Sequence, residues 1–127
     1  MANKAVISTA LAPAAIGPYS QAIKVNGTVY ISGQIPLNPE TMEIVDGTLA
    51  EQARQAFANL AAVAEAAGGS LADCVKVNIF LVDLADFDAV NNVMRDYFEE
   101  PYPARACVQV AALPKGSAVE IDAVMVV

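Results

Sequence analysis

Apolar residues recur every three to four positions through Leu49, Ala53, Phe57, Leu60, Val63, Ala64 and Ala67, the spacing that lines one face of a helix. Thr48, with Glu51 three residues on, forms a capping box at its start, and Gly68-Gly69 provides a stop. A second stripe, Phe87, Val90, Met94, Tyr97 and Phe98, predicts a helix from about residue 84 to 99. Asp83 or Asp86 would cap it, and Pro101 bars its continuation. The remaining apolar runs read as strands. AIKV and VYISG flank Asn26-Gly27, so residues 21–33 read as a hairpin. VKVNIFLVD (75–83), ACVQVAAL (106–113) and AVEIDAVMVV (118–127) are rich in β-branched residues, and Pro114-Lys115-Gly116-Ser117 makes a turn signal between the last two.

The order hairpin, helix, strand, helix, hairpin predicts one α+β domain over residues 1–127, with two helices packed on one face of a mixed β-sheet. Residues 75–83 and the end of the last strand are apolar at both alternations, so the second sheet face also calls for a cover. Two helices cover one face. Other copies of the chain are therefore expected on the other, in a homo-oligomer.

Composition narrows the function. The chain is 56% hydrophobic with a net charge of −7, and its seven basic residues are scattered, which argues against nucleic acid as a partner. No apolar run is long enough for a membrane helix and no signal peptide is evident, so a soluble, cytoplasmic protein is expected. There is no histidine, and the two cysteines, Cys74 and Cys107, form no C-x-x-C pair. Histidine-based triads are thereby excluded, and a zinc site is disfavoured. Chemistry must run on carboxylates, arginines, hydroxyls, a thiol and backbone amides, with no metal or organic cofactor expected.

The stretch PYPARACVQV, residues 101–110, then stands out, because Arg105 places a permanent cation in a run that otherwise reads as strand. Strand alternation sets Arg105, Cys107 and Gln109 on one face and directs Ala106, Val108 and Val110 to the other, toward the core. If 105–112 pairs antiparallel with 118–126, Glu120 approaches Cys107, and all three of Arg105, Cys107 and Glu120 share a face. One reading is a plain Arg105–Glu120 ion pair. The other is a receptor in which the guanidinium grips a small carboxylate and Glu120 activates a water. Cys107 reads equally as a small buried hydrophobe. Tyr19 in GPYSQA, Ser32 and Gly33 in SGQIPLNP, and Asn91 within the second helix each have an ordinary reading (turn, strand end, solvated helix face) beside a functional one.

Together, IGPYSQA, SGQIPLNP, EQARQAFANLAAVAEAAG, VKVNIFLVDLADFDAVNNV and YPARACVQVAALPKGSAVEIDAV resemble the RidA (YjgF) family of reactive-intermediate deaminases from about Ala12 to the C-terminus. The resemblance implies a chorismate-mutase-like fold and a homotrimer with clefts at subunit interfaces. It also implies hydrolysis of 2-aminoacrylate and 2-aminocrotonate, released by pyridoxal-phosphate enzymes, to 2-oxo acids and ammonia. The family's carboxylate-binding arginine falls on Arg105 and its water-activating glutamate on Glu120. Its cleft-lining residues fall on Tyr19, Ser32, Gly33, Asn91 and Cys107. One departure is a short link, FEEPYPAR, between the second helix and the arginine strand. A non-catalytic carboxylate sensor using the same cleft is the alternative, and RNA-directed and chaperone roles have been attached to some relatives.

Overall fold

A computed structural model describes residues 3–127. The elements are β1 (Lys4–Ile7), β2 (Ala22–Val25), β3 (Thr28–Gln34), α1 (Leu49–Ala66), β4 (Cys74–Leu81), α2 (Phe87–Tyr97), β5 (Ala104–Gln109) and β6 (Val119–Val126). The strands form one six-stranded sheet in the order β1-β2-β3-β6-β4-β5. Only β4 and β5 run parallel, so the sheet is mixed, as expected.

Local sequence signals account for the helices and the first hairpin. In α1, Thr48 Oγ1 accepts from the Glu51 amide while the Glu51 side chain accepts from the Thr48 amide, completing the capping box. Ala53, Phe57, Leu60, Val63 and Ala64 bury the face read from the sequence. A short 3₁₀ turn, Leu84–Asp86, leads into α2, and it is Asp83 that caps this turn through the Ala85 amide. In the β2–β3 hairpin Asn26 (φ 49°) and Gly27 (φ 85°) both take left-handed backbone, as a two-residue turn requires. β1, which the sequence pattern did not reveal, adds to the outer edge of β2.

The strand order overturns one expectation. Residues 105–112 and 118–126 are not a hairpin: β4 lies between β5 and β6, pairing parallel with the first and antiparallel with the second. The unit β4-α2-β5 is a crossover, which is how parallel neighbours are joined. The Pro114–Gly116 turn signal is real but belongs to a 3₁₀ turn, within a connection that carries the chain across β4 to β6.

Register now fixes the faces. Arg105, Val77, Ala123, Ile31 and Ala22 stand opposite one another in a single row across five strands. The last four are buried, so this row faces the core, where α1 packs on β3 and β6 and also touches α2. A second row, Val6, Ile23, Tyr30, Val124, Lys76 and Ala104, points to the other face. There Tyr30 is 55% and Val108 45% exposed, and no helix of the chain covers them. The expected sidedness of β5 is thus reversed. Arg105 and Cys107 lie on the helix side and are half-buried, whereas Ala106 and Val108 face outward.

Candidate functional site

The seven residues singled out from the sequence fall into two groups on opposite sides of the sheet. The first is built on β5 and α2. Asn91 Oδ1 accepts a hydrogen bond from Arg105 Nη1, which also lies 3.7 Å from Met94 Sδ. The Phe87 ring lies beneath the guanidinium, its centroid 5.3 Å from Arg105 Cζ. Asn91, Met94, Arg95, Tyr102, Pro103 and Arg105 line a cavity of about 240 Å³. No carboxylate is among them, and among the described residues the one ion pair of the chain is Arg54–Asp96, 2.9 Å. Arg105 therefore keeps its charge available. Cys107, two residues along β5, is a free thiol whose pKa burial raises while the Arg105 charge opposes the rise. Its side chain does not line this cavity.

The second group is built on β3, β6 and the N-terminal loop. Tyr19, Ser32, Gly33 and Glu120, with Ile16, Pro114 and others, line a cavity of about 420 Å³. Buried Gln21 shapes its wall. Its Oε1 accepts from the Thr9 amide at 2.7 Å, and its Nε2 donates to the carbonyls of Thr9, Ala12 and Pro13. Ser32 is tied to the Tyr19 loop through its Oγ, which donates to the Ser20 carbonyl at 2.5 Å. The β3–β6 register slips between Ile31 and Gln34, where Ser32 and Gly33 together stand against the one residue between Ala123 and Ile121. A Cβ on Gly33 would sit 2.8 Å from Glu120 Cδ, so only glycine lets the carboxylate lie against the strand there. Burial, and secondarily the like charge of Asp122 two residues along the same face, raise the Glu120 pKa above the ordinary carboxylate value. Asp122 is held by Asn78 Nδ2, which donates to its Oδ1 at 2.8 Å.

Arg105 and Glu120 are not an ion pair and do not share a face. Glu120 stands opposite Phe80, and Phe80 opposite Val108, in the outward row, while Arg105 belongs to the inward one. Asn91 is not a merely solvated helix residue, because it touches the guanidinium. Sequence reading missed Phe87 and Met94 as neighbours of Arg105. Their apolar stripe had marked them as core, and only their i, i+4, i+7 spacing with Asn91 hinted at a shared face.

The structure thus carries two separate polar cavities on one α+β sheet, one lined by Arg105 and the other by Tyr19 and Glu120. Residues 9–127 match the family described as Endoribonuclease L-PSP, and the chain belongs to this family, the RidA (YjgF) family. Among curated relatives, the 2-iminobutanoate/2-iminopropanoate deaminase of Dermatophagoides farinae is 52% identical over 100% of this chain and 99% of its own length. The protein of the same name from Homo sapiens is 51% identical over 95% of this chain and 88% of its own. Among solved structures, RidA from the Antarctic bacterium Psychrobacter sp. PAMC 21119 superposes with a TM-score of 0.94 at 56% identity, covering 97% of this chain and 99% of that one. E. coli TdcF, solved with bound serine, gives a TM-score of 0.91 at 44% identity, covering 97% and 98%.

Proposed function

We propose that this chain is a hydrolytic deaminase of small 2-imino acids, assembled as a homotrimer so that Arg105 of one copy meets Tyr19, Ser32, Gly33 and Glu120 of another. That it is an enzyme of the 2-iminobutanoate/2-iminopropanoate deaminase kind rests on relatives of about half identity over nearly the whole chain. The observation that carries the rest is the division of the site. A half-buried guanidinium without a carboxylate partner lies on one side of the sheet, and a carboxylate with a raised pKa lies in a cavity on the other. Neither half is competent alone. The helix-free face, with Tyr30, Val108 and Val6 exposed, supplies an apolar surface through which copies can associate.

In the complete site the substrate carboxylate pairs with Arg105 through two parallel N–H···O bonds, fixing the adjacent C=N carbon. The enamines 2-aminoacrylate and 2-aminocrotonate enter as their imine tautomers. Glu120 takes a proton from water as its oxygen bonds to the imine carbon, giving a carbinolamine. Glu120 returns that proton to nitrogen, and the hydroxyl proton follows it through Glu120 as the C–N bond breaks and the C=O forms, releasing ammonia and pyruvate or 2-oxobutyrate. A carboxylate whose pKa burial raises above its ordinary value is the stronger base when ionised, which suits this proton exchange. The imine reacts with water unaided, so positioning and one general base suffice. Dehydratases that use pyridoxal phosphate supply such enamines and are the natural source.

The net charge of −7 and the scattering of the seven basic residues speak against an RNA substrate despite the family's descriptive name. The test generates 2-aminoacrylate with a serine dehydratase and follows pyruvate release. Wild type is expected to accelerate release and Arg105→Ala to abolish the acceleration. Equal rates for the two would remove Arg105 from the mechanism. No acceleration by wild type would leave a carboxylate-binding protein using the same residues.

A further inference from the structure

Arg105 meets α2 through three side chains. Phe87, Asn91 and Met94 are spaced i, i+4 and i+7 and so share one helix face. Phe87 faces the guanidinium, and among the described residues the polar contacts of that group, to Asn91 Oδ1 and Met94 Sδ, both fall on Nη1. All three contacts reach the guanidinium from α2, and together they restrict both the position and the rotation of a long, flexible side chain.

We propose that Phe87, Asn91 and Met94 are positioning residues that turn Nη1 of Arg105 toward α2 and present the Nε–Nη2 edge to the substrate carboxylate. Asn91 then acts on Arg105 from its place in the cavity lining. An amide suits this task because it accepts a hydrogen bond without neutralising the cation. A carboxylate at the same place would hold the guanidinium more tightly and cancel the charge the substrate needs. Met94, 6% exposed, supplies a soft acceptor that leaves the charge intact in the same way.

This rests on the reading of Arg105 as carboxylate anchor, so the experiment carries both controls. Imine is generated in situ, semicarbazide competes for it, and the fraction diverted to 2-oxo acid gives relative kcat/KM. In parallel, calorimetry measures 2-oxobutyrate binding. Phe87→Leu keeps an apolar side chain but removes the ring, and it is expected to weaken both readouts roughly 5- to 20-fold. Phe87→Tyr restores the face of the ring and is expected to recover most of that loss. Asn91→Asp, isosteric, is expected to weaken both readouts more than Asn91→Ala does, although the latter removes more atoms. Circular dichroism melting of each variant separates these effects from loss of fold. Phe87→Leu matching wild type in both readouts would overturn the proposal, as would Phe87→Tyr remaining as weak as Phe87→Leu while equally folded. A wild type that neither binds 2-oxobutyrate nor diverts imine would instead overturn the deaminase reading itself.

Discussion

Gly33→Ala isolates the placement of the Glu120 carboxylate from every other feature of the site. Gly33 does not have a positive φ, so an alanine there strains no backbone. The whole effect is steric. The new Cβ would stand 2.8 Å from Glu120 Cδ and 3.1 Å from Oε1. An ordinary carbon–carbon contact is about 3.5 Å, so the carboxylate must retreat by roughly 0.7 Å. Its side chain is flexible and half-buried, so it can swing away at small cost to the fold. A misplacement near 1 Å costs up to ~10²-fold in rate, and the full contribution of a general base is about 10²–10⁴-fold. Gly33→Ala should therefore lower kcat/KM about 10- to 100-fold. Its melting temperature should stay within about 3 °C of wild type, the span of ~0.5 kcal/mol in a domain of this size. The coupled dehydratase assay reads the rate, and a double-mutant cycle with Glu120→Gln reads the cause. If Gly33→Ala acts by displacing Glu120, the double variant is no slower than Glu120→Gln alone. Multiplying losses would refute the reasoning and assign Gly33 an independent role, such as presenting its amide to substrate.

Three further outcomes are expected. Asp122→Asn removes a like charge that raises the Glu120 pKa, so Glu120 ionises at lower pH; the acid limb of the pH–rate profile should move down, and an unmoved or upward-shifted limb would contradict the base assignment. Gln21→Ala strips buried partners from the carbonyls of Ala12 and Pro13 and should cost about 2–3 kcal/mol in urea unfolding, whereas a loss under ~0.5 kcal/mol would show that the N-terminal loop does not depend on it. Tyr30→Asp combined with Val108→Asp puts charge on the helix-free face; analytical ultracentrifugation should find monomers without deaminase activity, and intact oligomers would place the association surface elsewhere.

What the sequence determined by itself is whatever rests on near neighbours along the chain. The α1 face, its Thr48–Glu51 cap and the Asn26-Gly27 turn depend on contacts within a few residues, and each was legible before any coordinates. Arg105, Glu120 and Tyr19 were legible as candidates, because a charge in a strand and an aromatic hydroxyl after Gly-Pro are conspicuous, and the family motif sharpened them. The order of strands was not. Alternation reports that two residues of one strand share a face, but not which strand lies alongside nor which face meets the helices. Residues 106–113 and 118–127 carry a turn signal between them and still do not pair, because β4 lies between them and gains ladders on both edges. Once β4 lies there, register alone puts Arg105 in the row with Val77 and Ala123, and Glu120 in the row with Phe80 and Val108. Only the tertiary structure could decide that Arg105 and Glu120 face opposite sides of the sheet, because hydrogen bonding between strands distant in sequence sets which side each residue faces.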